Sequence, residues 1–114
     1  MSLGAEVAAL TALGQLYDLL DPDVMWYSAE VDSNLTCNGK DDAVACVERG
    51  LARGLSGRFE LLAEGEDFAV VQPLLDPPHP ERPPCLLLRF RGGLIVELRD
   101  FRTAAAALGY AGIA

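Results

Sequence analysis

The stretch CLLLRFRGGLIVELRDF, residues 85–101, constrains the fold more than any other part of the chain. Two strand-like runs flank a turn with paired glycines, and glycine reaches positive φ without steric cost. This predicts a β-hairpin. Read with period two, Leu94, Val96, Leu98 and Asp100 share one face of its second strand. Ile95, Glu97, Arg99 and Phe101 share the other. The first strand is apolar on nearly both faces. A hairpin of this kind must be covered on both sides before it is stable in water.

The rest of the chain supplies the covering elements. RFELLAE, the turn GED and FAVVQPLLD predict a second hairpin. Between the hairpins lies PPHPERPP, which cannot pair as a central strand because proline has no N–H to donate. It reads as a loop at the end of the sheet. In residues 4–20, Val7, Leu10, Leu13, Leu16, Tyr17 and Leu20 recur at helical spacing. DPD ends that helix, since the residue before a proline avoids the helical region. VMWYSAEV is rich in β-branched and aromatic residues and reads as a strand. NGKDDAVACVERGLARG predicts a turn and then a helix, with Asp41 as N-cap, Val44, Val47 and Leu51 as its apolar stripe and Gly54 as C-cap. TAAAAL predicts a short terminal helix, capped by Thr103 and ended by Gly109. The expected order is helix, strand, helix, four strands in two hairpins, helix. This is an α+β domain with an antiparallel sheet, whose early helices cover one face. The other face of the last strands is left for a partner, so a homodimer is expected.

A chain of 114 residues, 51% of them hydrophobic, is expected to form a single domain over residues 1–114 with a real core. Seventeen acids against nine bases give a net charge of -8, which disfavours nucleic acid and anionic membrane surfaces. No apolar run has the length of a membrane span, and the start lacks a basic segment followed by an apolar one. A soluble, cytoplasmic protein is expected. Cys37, Cys46 and Cys85 are odd in number, widely spaced and lack a C-x-x-C pair, so reduced, buried thiols are expected. The lone His79 lies in the proline-rich loop. No metal and no cofactor are expected.

Several stretches together resemble the nuclear transport factor 2-like superfamily, and within it the polyketide cyclase, SnoaL-like group. LYDLLDPDVMWYS resembles its helix-to-strand junction, CNGKDDAVACV the glycine before a polar helix start, LLAEGEDFAVVQ its central hairpin, and RGGLIVELRDF its last strand. The resemblance covers most of the chain. It implies a cystatin-like α+β fold: a strongly curved antiparallel sheet wrapped around helices, a cone with an apolar pocket inside. It also implies dimerisation through the outer sheet face, and an N-terminal helical region longer than this chain supplies, as if the first turns were truncated.

The superfamily hosts several reactions and many domains with none, so residues must decide. The positions matching the base and oxyanion acid of ketosteroid isomerases are Ser28 and about Leu86, which cannot fill those roles. The Arg-x-Asp that limonene epoxide hydrolases require is missing from FAVVQPLL. Asp100 matches the acid/base aspartate of SnoaL-like cyclases. Two roles are open to it. On the face of Leu94, Val96 and Leu98 it would be desolvated, with a raised pKa suited to acid/base catalysis. At the wet end of the strand it would cap the last helix or meet Arg102. Tyr17, Trp26, Tyr27, Phe68, Gln72 and Leu98 are the candidate pocket lining, for a hydrophobic or ring-containing small molecule. Two functions follow: a small-molecule-binding domain with isomerase, cyclase or hydrolase chemistry at Asp100, or a non-catalytic dimerising scaffold or ligand sensor.

Overall fold

The hairpin at residues 85–101 forms the middle of the sheet. The computed structural model describes residues 3–9, 13–27, 35–52, 55–75 and 85–112. Their elements are α1 (Leu3–Ala8), α2 (Leu13–Leu19), β1 (Leu20–Tyr27), β2 (Leu35–Asn38), α3 (Lys40–Ala52), β3 (Leu55–Glu64), β4 (Phe68–Leu75), β5 (Cys85–Arg91), β6 (Leu94–Phe101) and α4 (Ala104–Tyr110). The strands form one curved, unclosed sheet in the order β2-β1-β6-β5-β4-β3. The fold is α+β, as expected. The turn between β5 and β6 is Gly92-Gly93, with φ of 61° and 81°. Positive φ at both central residues is what a two-residue hairpin following the sheet's twist demands.

The sheet differs from expectation in three ways. It is mixed rather than antiparallel, because β1 runs parallel to β6. A parallel neighbour needs a long crossover, and here it is everything between β1 and β6. An extra strand, β2, pairs antiparallel with β1. Its four residues are too few to show a period. β1 begins at Leu20, before Pro22, and its register with β6 shifts between Leu20 and Met25, which is where a proline is tolerated. The expected first helix is also divided, into α1 and α2.

A β-bulge in β6 has the largest consequence. Arg89 pairs with Glu97, but Phe90 pairs with Ile95, so Val96 is the extra residue. The faces therefore exchange across the bulge. Ile95, not Leu94 or Val96, shares the face of Leu98 and Asp100.

Each face of the sheet carries a core. On the inner face Val71, Leu86, Leu88, Phe90, Ile95 and Leu98 bury against Val7 of α1, Leu16 of α2 and Ala43 of α3. On the outer face Val70, Cys85 and Leu87 bury against Ala107 of α4, with Phe101, Ala104 and Leu108 beside them. Thus α4 covers the apolar strip from which a partner subunit was expected. Thr103 starts this helix, its Oγ accepting from the Ala106 N–H at 3.1 Å. The helix runs past Gly109 to Tyr110. The guanidinium of Arg99 lies between the rings of Tyr27 and Tyr110, 4.3 and 4.9 Å from their centroids.

The cysteines also depart from expectation. Cys37 on β2 and Cys46 on α3 are joined as a disulfide, and Cys85 keeps its thiol. Nine residues separate the partners, and only the packing of α3 beside β2 brings them together.

Two outcomes are expected. Leu87 and Leu88 are adjacent, point to opposite faces and are 0% and 1% exposed. Leu87→Ala and Leu88→Ala should each cost about 2–5 kcal/mol in denaturant unfolding. A cost for Leu87→Ala within about 0.5 kcal/mol, as at a solvated site, would show that α4 does not cover the outer face. Thiol titration in denaturant should find one reactive thiol before reduction and three after it; three before reduction would exclude the Cys37–Cys46 bond.

Candidate functional site

Asp100 stands one pair beyond the apolar row of the inner face. In the β5–β6 register Leu88 pairs with Leu98 and Leu86 with Asp100. Residues paired across a ladder share a face, so Asp100 lies on the side of Leu86 and Leu98. In the β1–β6 register Trp26 is opposite Leu98, and it packs against the same core. From there the indole Nε1–H donates to Asp100 Oδ1 at 2.8 Å. The contact joins residues 74 positions apart. Thr103 takes the helix-cap role that was open to Asp100. None of the ion pairs among the described residues includes Asp100.

Burial raises the carboxyl pKa of Asp100, because desolvation disfavours the anion, and the hydrogen bond from Trp26 works in the opposite direction. The indole N–H can donate to either form of the carboxyl, and more strongly to the anion. With its pKa raised, the Asp100 carboxyl is a stronger base than one in water. The second oxygen is not a sealed, unpartnered atom, since no buried side-chain oxygen or nitrogen among the described residues lacks a partner. Asp100 and Trp26 are each only partly buried.

Three of the expected lining residues are on this side. Trp26 and Leu98 adjoin Asp100, and Tyr17 on α2 packs against the same core. Burial, with the nearby Glu48 carboxylate on α3, raises the phenol pKa of Tyr17. The other three face outward. Tyr27 is paired with Arg99 and stacks on its guanidinium. Phe68 packs against the smaller core under α4. Gln72 accepts from the Cys85 thiol at 3.0 Å on that same side. The physical reason is the alternation of β1 and β4: Trp26 and Val71 point inward, so their neighbours Tyr27 and Gln72 point outward. Ser28 lies outside the described residues.

Sequence reading missed the charged outer row. Asp67, Arg89, Glu97 and Arg99 form a chain of ion pairs at 3.7, 3.9 and 3.3 Å across the two hairpins. Their alternating signs were visible, but not the register that aligns them. Cys37, the cross-strand partner of Trp26, was missed for the same reason. Among the described residues no group of three or more His, Cys, Asp or Glu could hold a metal ion, and no helix is long and apolar enough to cross a membrane.

No protein-family profile and no curated protein matches the sequence. Solved structures do match. A nuclear transport factor 2-like protein of unknown function from Burkholderia pseudomallei superposes with a TM-score of 0.60 at 17% identity, over 96% of this chain and 97% of that one. A protein with a ketosteroid isomerase-like fold from Catenulispora acidiphila, solved in complex with trimethylamine, gives 0.57 at 16%, over 99% and 94%. TerC, co-crystallised with polyporic acid, gives 0.60 at 16%, over 92% and 95%. These likenesses show the fold, which is that of the nuclear transport factor 2-like proteins.

The Asp100–Trp26 pair sets two expectations. The folded state holds the Asp100 proton more tightly than the unfolded chain does. The stability belonging to its neutral form is therefore lost as pH rises from the ordinary value of 3.8 through the raised one. Asp100→Asn keeps the acceptor for Trp26 and removes the charge. It should melt at or above the wild-type temperature at neutral pH, and this advantage should shrink toward pH 3.8; a lower melting temperature at pH 7 would contradict it. Trp26→Phe removes the donor to a charged acceptor and should cost about 1.5–3 kcal/mol. It should also move the Asp100 carboxyl resonance to titrate at still higher pH in NMR.

Proposed function

We propose that this chain, with its nuclear transport factor 2-like fold, is a small-molecule-binding domain whose ligand meets Asp100 and Trp26 on the inner face of the sheet. The observation that carries the reading is the hydrogen bond from Trp26 to a desolvated carboxyl that has no ion-pair partner among the described residues. A carboxylate that only closed the strand's end would sit in water or cap α4. Leu86, Leu98 and the Trp26 ring supply apolar walls beside it. Two proteins of the same fold were crystallised with small organic molecules, trimethylamine and polyporic acid.

The polar groups that described residues bring to this side include the Asp100 carboxylate, the Trp26 indole, and the Tyr17 phenol with the nearby Glu48 carboxylate. An isomerase, cyclase or hydrolase needs a proton acceptor and also a group that stabilises the charge formed. Asp100 can accept a proton. Trp26 is already committed to Asp100. Binding is therefore the core of the proposal, and proton abstraction by Asp100 is the chemistry the site offers to a bound ligand. The dimerising scaffold is the weaker reading, because α4 covers the outer apolar strip.

Trp26 is the only tryptophan in the chain, so its emission reports this site without labelling. Titration with the neutral apolar dye Nile red should quench that emission saturably, with one dye bound per chain. Unchanged Trp26 emission with the dye at its solubility limit would overturn the proposal.

A further inference from the structure

We propose that the ligand of this site is an organic cation, a tertiary or quaternary ammonium group whose charge is met by the Asp100 carboxylate and the face of Trp26. The inference rests on the binding reading above and narrows it to a chemical class.

The argument is one of charge. Any ligand seated against Asp100 meets a partly buried carboxyl. A neutral ligand can offer the carboxylate at most a further hydrogen bond and no countercharge. An anion would add repulsion. Only a cation leaves the carboxylate paired, and no basic side chain among the described residues competes for that place. The net charge of -8 favours the same sign of ligand at long range.

The walls select the kind of cation. A primary ammonium carries three N–H donors and is strongly hydrated. Beside the Asp100 carboxylate the sheet offers Leu86, Leu98 and indole carbon. Alkyl groups on nitrogen suit such walls, and they spread the positive charge over a surface that packs against an aromatic face. The indole edge is committed to Asp100 at 2.8 Å, which holds the ring beside the carboxylate. One side-chain pair thus presents both an anionic oxygen and a π-surface.

Choline and its uncharged carbon isostere, 3,3-dimethylbutan-1-ol, isolate the charge. Both are soluble and transparent where Trp26 is excited. With wild-type protein and a sodium chloride control, choline should change Trp26 emission saturably. Its dissociation constant should be at least about tenfold lower than that of the isostere, the scale expected of a cation at a partly desolvated aromatic and anionic site. Asp100→Asn, which keeps the shape and the acceptor for Trp26, should remove most of that preference. Equal binding of choline and the isostere by the wild type, tighter binding of the isostere, or no choline response would each overturn the inference. The wild-type comparison decides this even if the variant does not fold. Nile red separates the two proposals. Dye binding without choline preference rejects the cation and leaves the binding reading standing, whereas loss of dye binding rejects both.

Discussion

Burial of β5 on both of its faces is the constraint on which the rest of the structure depends. Leu86, Leu88 and Phe90 point to one side, Cys85 and Leu87 to the other, and all five are buried. A strand like this can sit only in the interior of a sheet with cover on both faces. Helices α1 to α3 provide that cover on the inner side and α4 provides it on the outer side. Because α4 follows directly from β6, the chain closes its own outer face. Arg99, held between Tyr27 and Tyr110, and the Thr103 cap fix where α4 lies.

The same constraint positions the site. Leu86 on β5 brings Asp100 opposite it, and Leu98, one pair back, lies between Leu88 on β5 and Trp26 on β1. The parallel pairing of β1 with β6 is therefore what lets an indole from near the start of the chain reach a carboxyl near its end. An all-antiparallel sheet built from sequential hairpins would not have placed them side by side. The bulge at Val96 matters equally. It turns Leu94 and Val96 away from the row to which Leu98 and Asp100 belong, and brings in Ile95.

The two faces of the sheet treat charge differently. Outside, Asp67, Arg89, Glu97 and Arg99 alternate in sign and are partly solvated, so each charge has a neighbour and water. Such pairs contribute little individually. Inside, the Asp100 carboxyl accepts from Trp26 and has no ion-pair partner among the described residues. That contrast, more than the presence of an aspartate, gives the inner face its chemical character.

How much could be read in advance follows from the range of each interaction. The sequence by itself determined the local features: the glycine turn, the helix that Thr103 caps, the break at DPD, the two hairpins and the α+β class. These depend on backbone sterics and on periods of a few residues, all of which lie within a short window. It also singled out Asp100, a carboxylate closing an apolar row, and named Trp26 as one of six candidate lining residues. Only the tertiary structure decided that these two meet, that Tyr27, Phe68 and Gln72 face outward, that β1 lies parallel to β6, and that Cys37 joins Cys46. Each of those depends on register between segments far apart in the chain. A shift of one residue exchanges the faces of a strand, and a single bulge is enough to cause it. Periodicity says that a strand has two faces; which of them turns toward the helices is set by its neighbours.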